Sequence, residues 1–286
     1  MRYGRIDGLR PLYSVAMLCR LLNVSEAGYY AWRRRPPSPR SQENARLSIE
    51  IKLAHERTRQ TYGAERLQAE LADHGVHAGV GRIKRIRREL GLRCRQKRKF
   101  KVTTDSRHHL PIAPNLLDRQ FAVSAPNRVW VTDITYVATD EGWLYLAGIK
   151  DLFNGELVGY ALDERMTQNL VMQALFRAVA ARRPERGLVH HSDRGSQYCA
   201  HAYQRLLRQF GMQVSMSRKG NCWDNAPMES CWGSLKNELI HHHRFATRSD
   251  AKKAITEYIE IFYNRIRKQA RLGYLSPAAF MQQHYE

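Results

Sequence analysis

Residues 128–163 read RVWVTDITYVATDEGWLYLAGIKDLFNGELVGYALD. Val, Ile, Leu, Tyr and Trp dominate three runs, 128–139, 142–153 and 156–163, and predict three strands. Asp140-Glu141-Gly142 separates the first two, and Asn154-Gly155, a strong hairpin signal, separates the second from the third. The strands therefore run antiparallel in succession. Asp133 stands in the middle of the first. Aspartate is depleted in strands, and a buried carboxylate without a partner is costly. Either a Lys or Arg pairs with Asp133, or the carboxylate is a metal ligand; the second reading is the more economical.

Downstream, residues 167–183 predict an amphipathic helix with Thr167 as its cap. A short strand at 188–191 runs into Ser192-Asp193-Arg194-Gly195, so Asp193 stands where a strand leaves the sheet. The crevice beyond a strand's carboxyl end is the usual place for chemistry in an α/β sheet, although Asp is also a common turn former. A helix over 200–210 should stop at Gly211, followed by a strand at 213–216 and a loop at 218–227. The next helix starts near Asn225 with Pro227 in its first turn. It carries Glu229 and, two turns on along the same face, Lys236. Residues 248–267 read as a further amphipathic helix. Three strands, helix, strand, helix, strand, helix is the order of a ribonuclease H-like α/β core. Asp151, Asp163, Asp224 and Glu238 are competing carboxylates; Asp224 falls in a loop expected to be mobile, and Asp151 near the end of its strand could approach the site.

Upstream the composition changes. The chain has 286 residues and a net charge of +20, with Lys and Arg exceeding Asp and Glu by 15 in residues 1–110 and by 5 in residues 111–286. A balanced core thus follows a basic front, which points to a polyanionic partner. Residues 14–33 predict two short helices: Val15, Leu18, Leu21 and Leu22 face the core from the first, and Ala27, Tyr30 and Ala31 from the second. Asn23 breaks the chain between them and Ser25 caps the second, a helix-turn-helix pattern or a plain helical hairpin. Pro36, Pro37 and Pro39 suggest a stiff linker over 36–42. A helix at 43–57, one after Tyr62-Gly63 and one from Val80 to Leu90 form a second helical module. On the last helix Val80, Ile83, Ile86 and Leu90 face inward, while Arg82, Lys84, Arg85 and Arg88 face out. Arg93, Arg95, Lys97 and Arg98 continue the charge, as a recognition helix on DNA requires. Residues 105–127 read as a linker that settles on the next domain.

No apolar run reaches the ~20 residues that span a bilayer, and no signal-peptide core follows Arg2 and Arg5; the expected place is the cytoplasm. Cys19, Cys94, Cys199, Cys222 and Cys231 form no C-x-x-C pair, so neither a disulfide framework nor a zinc site is indicated. His241-His242-His243 diverge around a helix by about 100° each and fit DNA contact or plain surface better than zinc.

Three segments, WVTDITY at 130–136, HHSDRGSQY at 190–198 and NAPMESCWGSLKNEL at 225–239, look like the signature blocks of DDE transposases. Asp193 and Glu229 are separated by 35 residues, the spacing that transposases of this type share with retroviral integrases. The chain resembles the OrfB-type transposases of the IS-three insertion-sequence family almost throughout, from LNVSEAGYYAW at 22–32 through YGAERL at 62–67 to RLGYLSPAAF at 271–280. The resemblance implies a multidomain protein: a helix-turn-helix-like segment at 1–35, a linker at 36–42, a basic helix-turn-helix DNA-binding module at 43–104 and a linker at 105–123. An integrase-like catalytic core at 124–245 and a C-terminal helix and tail at 246–286 complete it. It implies Asp133, Asp193 and Glu229 as catalytic residues holding two Mg²⁺ or Mn²⁺ ions, with Lys236 on a DNA phosphate. The implied reaction nicks the element's ends and joins the 3′-OH to another phosphodiester. Implied partners are terminal inverted repeats, target DNA, further copies of the chain in a synaptic dimer or higher oligomer, and an upstream OrfA, separate or fused. A nuclease that cuts without joining and a non-enzymatic DNA-binding protein are the competing readings. A tyrosine or serine recombinase would need a covalent nucleophile that the carboxylate blocks do not ask for.

Overall fold

The structure, a computed structural model, describes residues 2–95, 111–218 and 221–286. Contacts divide the chain into two units, Met1–Lys52 and Leu53–Glu286. In the first unit, helices α1 (Arg2–Leu9), α2 (Val15–Leu21) and α3 (Glu26–Arg34) enclose Ile6, Leu18, Cys19 and Tyr29. The two-helix pattern was foreseen, with Asn23 at φ 51° breaking the chain and the Ser25 side chain accepting from Gly28 N. The helix α1 was not, since Gly4 and Gly8 argue against it. Its presence corrects the expected buried face of α3. Tyr29 is buried and donates to Asp7 at 2.8 Å, while Tyr30 is exposed, because Ile6 and Asp7 of α1 supply the partners. Leu21 also turns outward.

The expected linker at 36–42 is shorter than the sequence suggests. The helix α4 (Pro39–Arg57) begins inside it, because proline is tolerated in a first helical turn and Ser38 Oγ accepts from Ser41 N.

In the second unit, α5 (Ala64–Asp73) and α6 (Val80–Glu89) bury Leu67, Leu71, Ile83 and Ile86. Residues 111–127 are irregular and lie on the core as foreseen: Met216 N donates to Pro114 O, Leu116 N donates to Ser215 Oγ, and Leu117 is buried. The sheet contains β1 (Val129–Thr139), β2 (Gly142–Asp151), β3 (Leu157–Asp163), β4 (Val189–Ser192) and β5 (Gln213–Met216), in the order β3-β2-β1-β4-β5. The β1–β2 and β2–β3 pairs are antiparallel, and β1–β4 and β4–β5 are parallel. Between the strands come α7 (Gln168–Arg182), the short α8 (Ser196–Cys199) and α9 (His201–Gln209). They cover one sheet face around Trp130, Ala147, Ile149, Leu170, Ala174 and Tyr203. Gly159 lets α7 approach, since a Cβ there would meet the Ala174 carbonyl at 2.6 Å.

Alternation along β1 and β2 places Val131, Asp133 and Val137 with Lys150, Gly148 and Leu144 on the opposite face, where α10 (Ala226–Glu238) packs. Beyond it the expected single helix at 248–267 is α11 (Arg248–Glu257) continued by a wider π turn over Tyr258–Ile266. The expected tail ends in a further helix, α12 (Pro277–Tyr285), capped by Ser276.

The second helical module is joined to this C-terminal region more closely than a linker-separated module would be. Lys268 N donates to Tyr62 OH at 2.6 Å, Tyr274 OH donates to Glu65 at 3.0 Å, Arg59 pairs with Glu257, and Lys268 pairs with Asp73. No local pattern announces these pairings. The described Cys19, Cys94, Cys199 and Cys231 are free thiols. No helix among the described residues is long and apolar enough to cross a membrane.

Candidate active site

Asp133 faces α10 from the middle of β1, directly opposite Gly148 on β2. The missing side chain at Gly148 has a packing reason, because a Cβ there would lie 2.5 Å from Cη2 of Trp232. The indole therefore reaches the sheet, and α10 follows it in. Asn225, just before the helix, donates from Nδ2 to Thr132 O at 3.1 Å, tying the start of α10 to the residue preceding Asp133. Glu229 lies one turn further along this anchored helix.

Asp193 arrives by a different route. The parallel β1–β4 register pairs Val131 with His191. Two residues further on, Asp133 and Asp193 stand abreast where the two strands part. Asp193 Oδ1 accepts from Gly195 N at 2.9 Å, so the turn into α8 also fixes the carboxylate.

The electrostatics bring the three together. The Asp133 carboxyl is raised well above its ordinary range by burial and by the negative charge of Asp193, and the charge of Glu229 adds to the effect. Glu229 is itself raised by burial. Neither Asp133 nor Glu229 makes a salt bridge among the described residues, and all three residues are half-buried. The Trp232 indole, whose Nε1 makes no completed hydrogen bond, lies beside Asp133 and favours its charged form. Lys236 is lowered by burial while Asp133 acts to raise it, and its Nζ sits 5.2 Å from the centroid of the Tyr136 ring. Among the described residues no group of three or more His, Cys, Asp or Glu side chains is already drawn together closely enough to hold a metal ion.

The competing carboxylates have other employment. Asp151 accepts from Asn127 N at 2.7 Å and Phe153 N at 2.9 Å, Asp163 accepts from Arg165 N, and Glu238 is bound by Arg267 and Tyr258. Asp224 is buried, which overturns the expectation of a mobile loop at this point. It accepts from Arg218 N, Nε and Nη2, from Arg119 Nε and from Asn115 Nδ2, at 2.8–3.1 Å. The sequence signal that could have found it is the pair of arginines, but neither is near enough in local spacing to announce the contact. The Arg218 hydrogen bonds hold this carboxyl well below the usual range. A group so depressed contributes stability above its unfolded pKa, and that contribution is lost as pH falls through the folded value. Asp224→Asn should therefore cost about 2–3 kcal/mol near neutrality, discounted because both arginines are half exposed. Denaturant unfolding of both proteins should show the gap closing below roughly pH 4.

His190 and His191 are neutral structural residues. Burial lowers them to about 3 and about 4; His190 Nε2 meets Tyr203 OH, and His191 meets Ser215 and Ser217. His242 and His243 bond the Asn237 and Leu239 carbonyls at the end of α10.

The expected DNA-binding residues cluster as the helical pattern requires. Lys84, Arg85 and Arg88 are exposed on α6 opposite buried Ile83 and Ile86, Arg82 is half-buried, and Arg93 and Arg95 are exposed just beyond. Lys97 and Arg98 lie outside the described residues.

Residues 123–222 and 229–285 match family models described as integrase core domain, and residues 41–100 match one described as HTH-like domain. The chain is 40% identical to the transposase InsF for insertion sequence IS3A of Escherichia coli strain K12, covering 98% of each. The chain belongs to the IS3 transposase family. It is also 58% identical to the insertion element IS600 uncharacterized 31 kDa protein of Shigella sonnei, covering 94% of this chain and 99% of the relative. A chain of the simian T-cell lymphotropic virus intasome, in complex with PP2A regulatory subunit B56 gamma, aligns with TM-score 0.47 and 19% identity over 81% of this chain and 73% of its own. As a member of the IS3 family the chain is a transposase with an integrase-type core, preceded by helix-turn-helix-like helices.

Proposed function

We propose that Asp133, Asp193 and Glu229 are the catalytic carboxylates of this IS3-family transposase and that they hold two Mg²⁺ or Mn²⁺ ions. The convergence of two carboxylate charges, Asp193 and Glu229, on Asp133 in the middle of β1 carries the reading. Hard oxygen donors suit such ions, and mutual repulsion between carboxylates is what a divalent cation relieves. When bound, the ions supply an activated water and charge neutralisation at the phosphate. The chain's own residues do the rest. Half-buried Asp133 and Glu229 fix the donor positions from two separate elements, and Asp193 fixes a third from the strand exit. Lys236 Nζ, near Asp133, holds a DNA phosphate as a point charge.

The reaction has two in-line displacements. Water first attacks the phosphodiester at the element's end, breaking the P–O bond to the leaving 3′ oxygen, which takes up a proton. The freed 3′-OH then attacks a second phosphodiester, losing its proton as the new P–O bond forms. The P–O bond to that strand's own 3′ oxygen breaks, and this leaving oxygen takes up a proton. Residues 1–104 recognise the ends, with the cationic face of α6 in the lead, and residues 124–245 perform the chemistry. Double-stranded DNA at the terminal inverted repeats and at the target, further copies of this chain and an upstream OrfA are the partners, with the nucleoid as the workplace.

Labelled duplexes bearing the element's ends, incubated with Mg²⁺ and with or without OrfA, test this. Metal-dependent nicking and joined product that vanish in Asp193→Asn are expected. Cutting without joining would leave only a nuclease. DNA binding with no chemistry in any combination would remove the enzymatic reading.

A further inference from the structure

Lys150 is 6% exposed and has no carboxylate partner among the described residues. Its one side-chain hydrogen bond among the described residues runs from Nζ to Pro227 O at 3.2 Å, in the first turn of α10. A lysine this deep is normally paired, because stripping water from an ammonium is costly. Burial lowers Lys150 to about 8, with Cys231 opposing the shift and the like charges of Arg271 and Arg267 adding to it, which leaves it largely cationic at neutral pH.

Lys150 lines a cavity of about 300 Å³ with Arg271, Arg267, Gln269, Ser230 and Ser234. That volume is at the low end for small-ligand sites. No Asp or Glu lines it, and its two weakly acidic groups, Cys231 and Tyr263, are pushed up by burial and stay neutral. Arg267 is neutralised by Glu238, whereas among the described residues Arg271 donates to the Leu152 and Phe153 carbonyls alone, through Nη1. Gln269 is 6% exposed and its buried Nε2 has no partner. The cavity therefore gathers a buried ammonium, a guanidinium that feels the charge of Asp151 from outside the lining, and an unused amide donor, with no Asp or Glu in its wall to receive them. A second cavity shares Ser230, Ser234 and Arg267 and adds Arg66 and Arg95. Both lie on the flank of α10 that carries Ser230 and Ser234, about 100–160° around the helix from Glu229 and Lys236.

We propose that this cavity is a phosphate-binding site, with Lys150, Arg271 and Gln269 Nε2 as donors. The tetrahedral oxyanion accepts from all three and satisfies the orphaned amide. The phosphate belongs either to a nucleic-acid backbone passing along this flank of α10 or to a small free phosphate ester. The site is independent of the carboxylate reading, so it stands or falls on its own measurement.

The full chain, its Lys150→Met variant and its Arg271→Gln variant are titrated calorimetrically with inorganic phosphate, then with a 20-base-pair duplex of arbitrary sequence at several salt concentrations. Phosphate should bind the parent protein and bind each variant roughly tenfold or more weakly, since each loses a charge-assisted hydrogen bond. If duplex affinity also falls and its salt slope becomes shallower by about 1, the phosphate is a DNA backbone group. If duplex binding is unchanged while phosphate binding is lost, it is a free ester. No phosphate binding by the parent, or equal binding by the variants, overturns the site. Should Lys150→Met fail to fold, the exposed Arg271→Gln decides alone.

Discussion

Asp133→Asn should abolish end cleavage and joining while making the metal-free protein more resistant to heat at neutral pH. The two effects share one cause. Burial and the charges of Asp193 and Glu229 raise the Asp133 carboxyl well above its ordinary value. A group whose pKa is raised on folding contributes stability that is fully present below its unfolded pKa and lost as pH rises through the folded value. At neutral pH the ionised carboxylate is therefore a burden on the metal-free fold, and asparagine, nearly the same shape, removes it. Near pH 4 the wild-type carboxyl is protonated and the difference should vanish. Mg²⁺ or Mn²⁺ should reverse the order at neutral pH, because an ion that binds only the folded state stabilises it by mass action. The wild type should gain in Tm with metal and the variant little. Activity should fall by roughly a thousandfold or more, as expected for a member of a catalytic unit. Melting curves at pH 4 and pH 7.5, with and without metal, check the prediction without any turnover. A variant that melts below the wild type in the absence of metal at pH 7.5 would refute it.

The elements that the sequence reveals are those whose cause is local. The alternation over 128–163 with its Asn154-Gly155 turn produces β1, β2 and β3 within a residue or two of their observed ends. Asp133 stands out because a strand interior is a poor place for a carboxylate, and the 35-residue spacing from Asp193 to Glu229 needs no coordinates. What stayed hidden has its cause elsewhere in the chain. The buried face of α3 depends on α1, and α1 contains two glycines that its packing overrides. The docking of Tyr62 on Lys268 joins residues 206 apart. Asp224 reads as a loop residue until Arg119 and Asn115, more than a hundred positions away, are seen to donate to it. The same holds for sorting the carboxylates. Asp151, Asp224 and Glu238 compete with the triad in the sequence, and their partners show that they are already engaged.

Glu238 sets the last expectation. It is 7% exposed, and Arg267 grips it from Nε at 2.8 Å and Nη2 at 2.8 Å while Tyr258 donates at 2.8 Å. Burial works against the Arg267 charge and Glu238 more than restores it. The pair joins the end of α10 to the segment after the π turn, so it holds the helix that carries Glu229 against the C-terminal region. Arg267→Met keeps the stem's packing but leaves the carboxylate in a low-dielectric site with one neutral donor. Breaking a buried pair from one side costs about 3–5 kcal/mol, roughly 10 °C in Tm for a unit of this size. The loss comes mainly from stranding a charge, so removing that charge as well should recover much of it. The double variant Glu238→Leu with Arg267→Met is expected to melt well above the single variant and close to the wild type, because apolar groups of similar volume replace a buried pair at little cost. A double variant as unstable as the single one would mean that the pair's geometry, and not its charge balance, holds α10 in place.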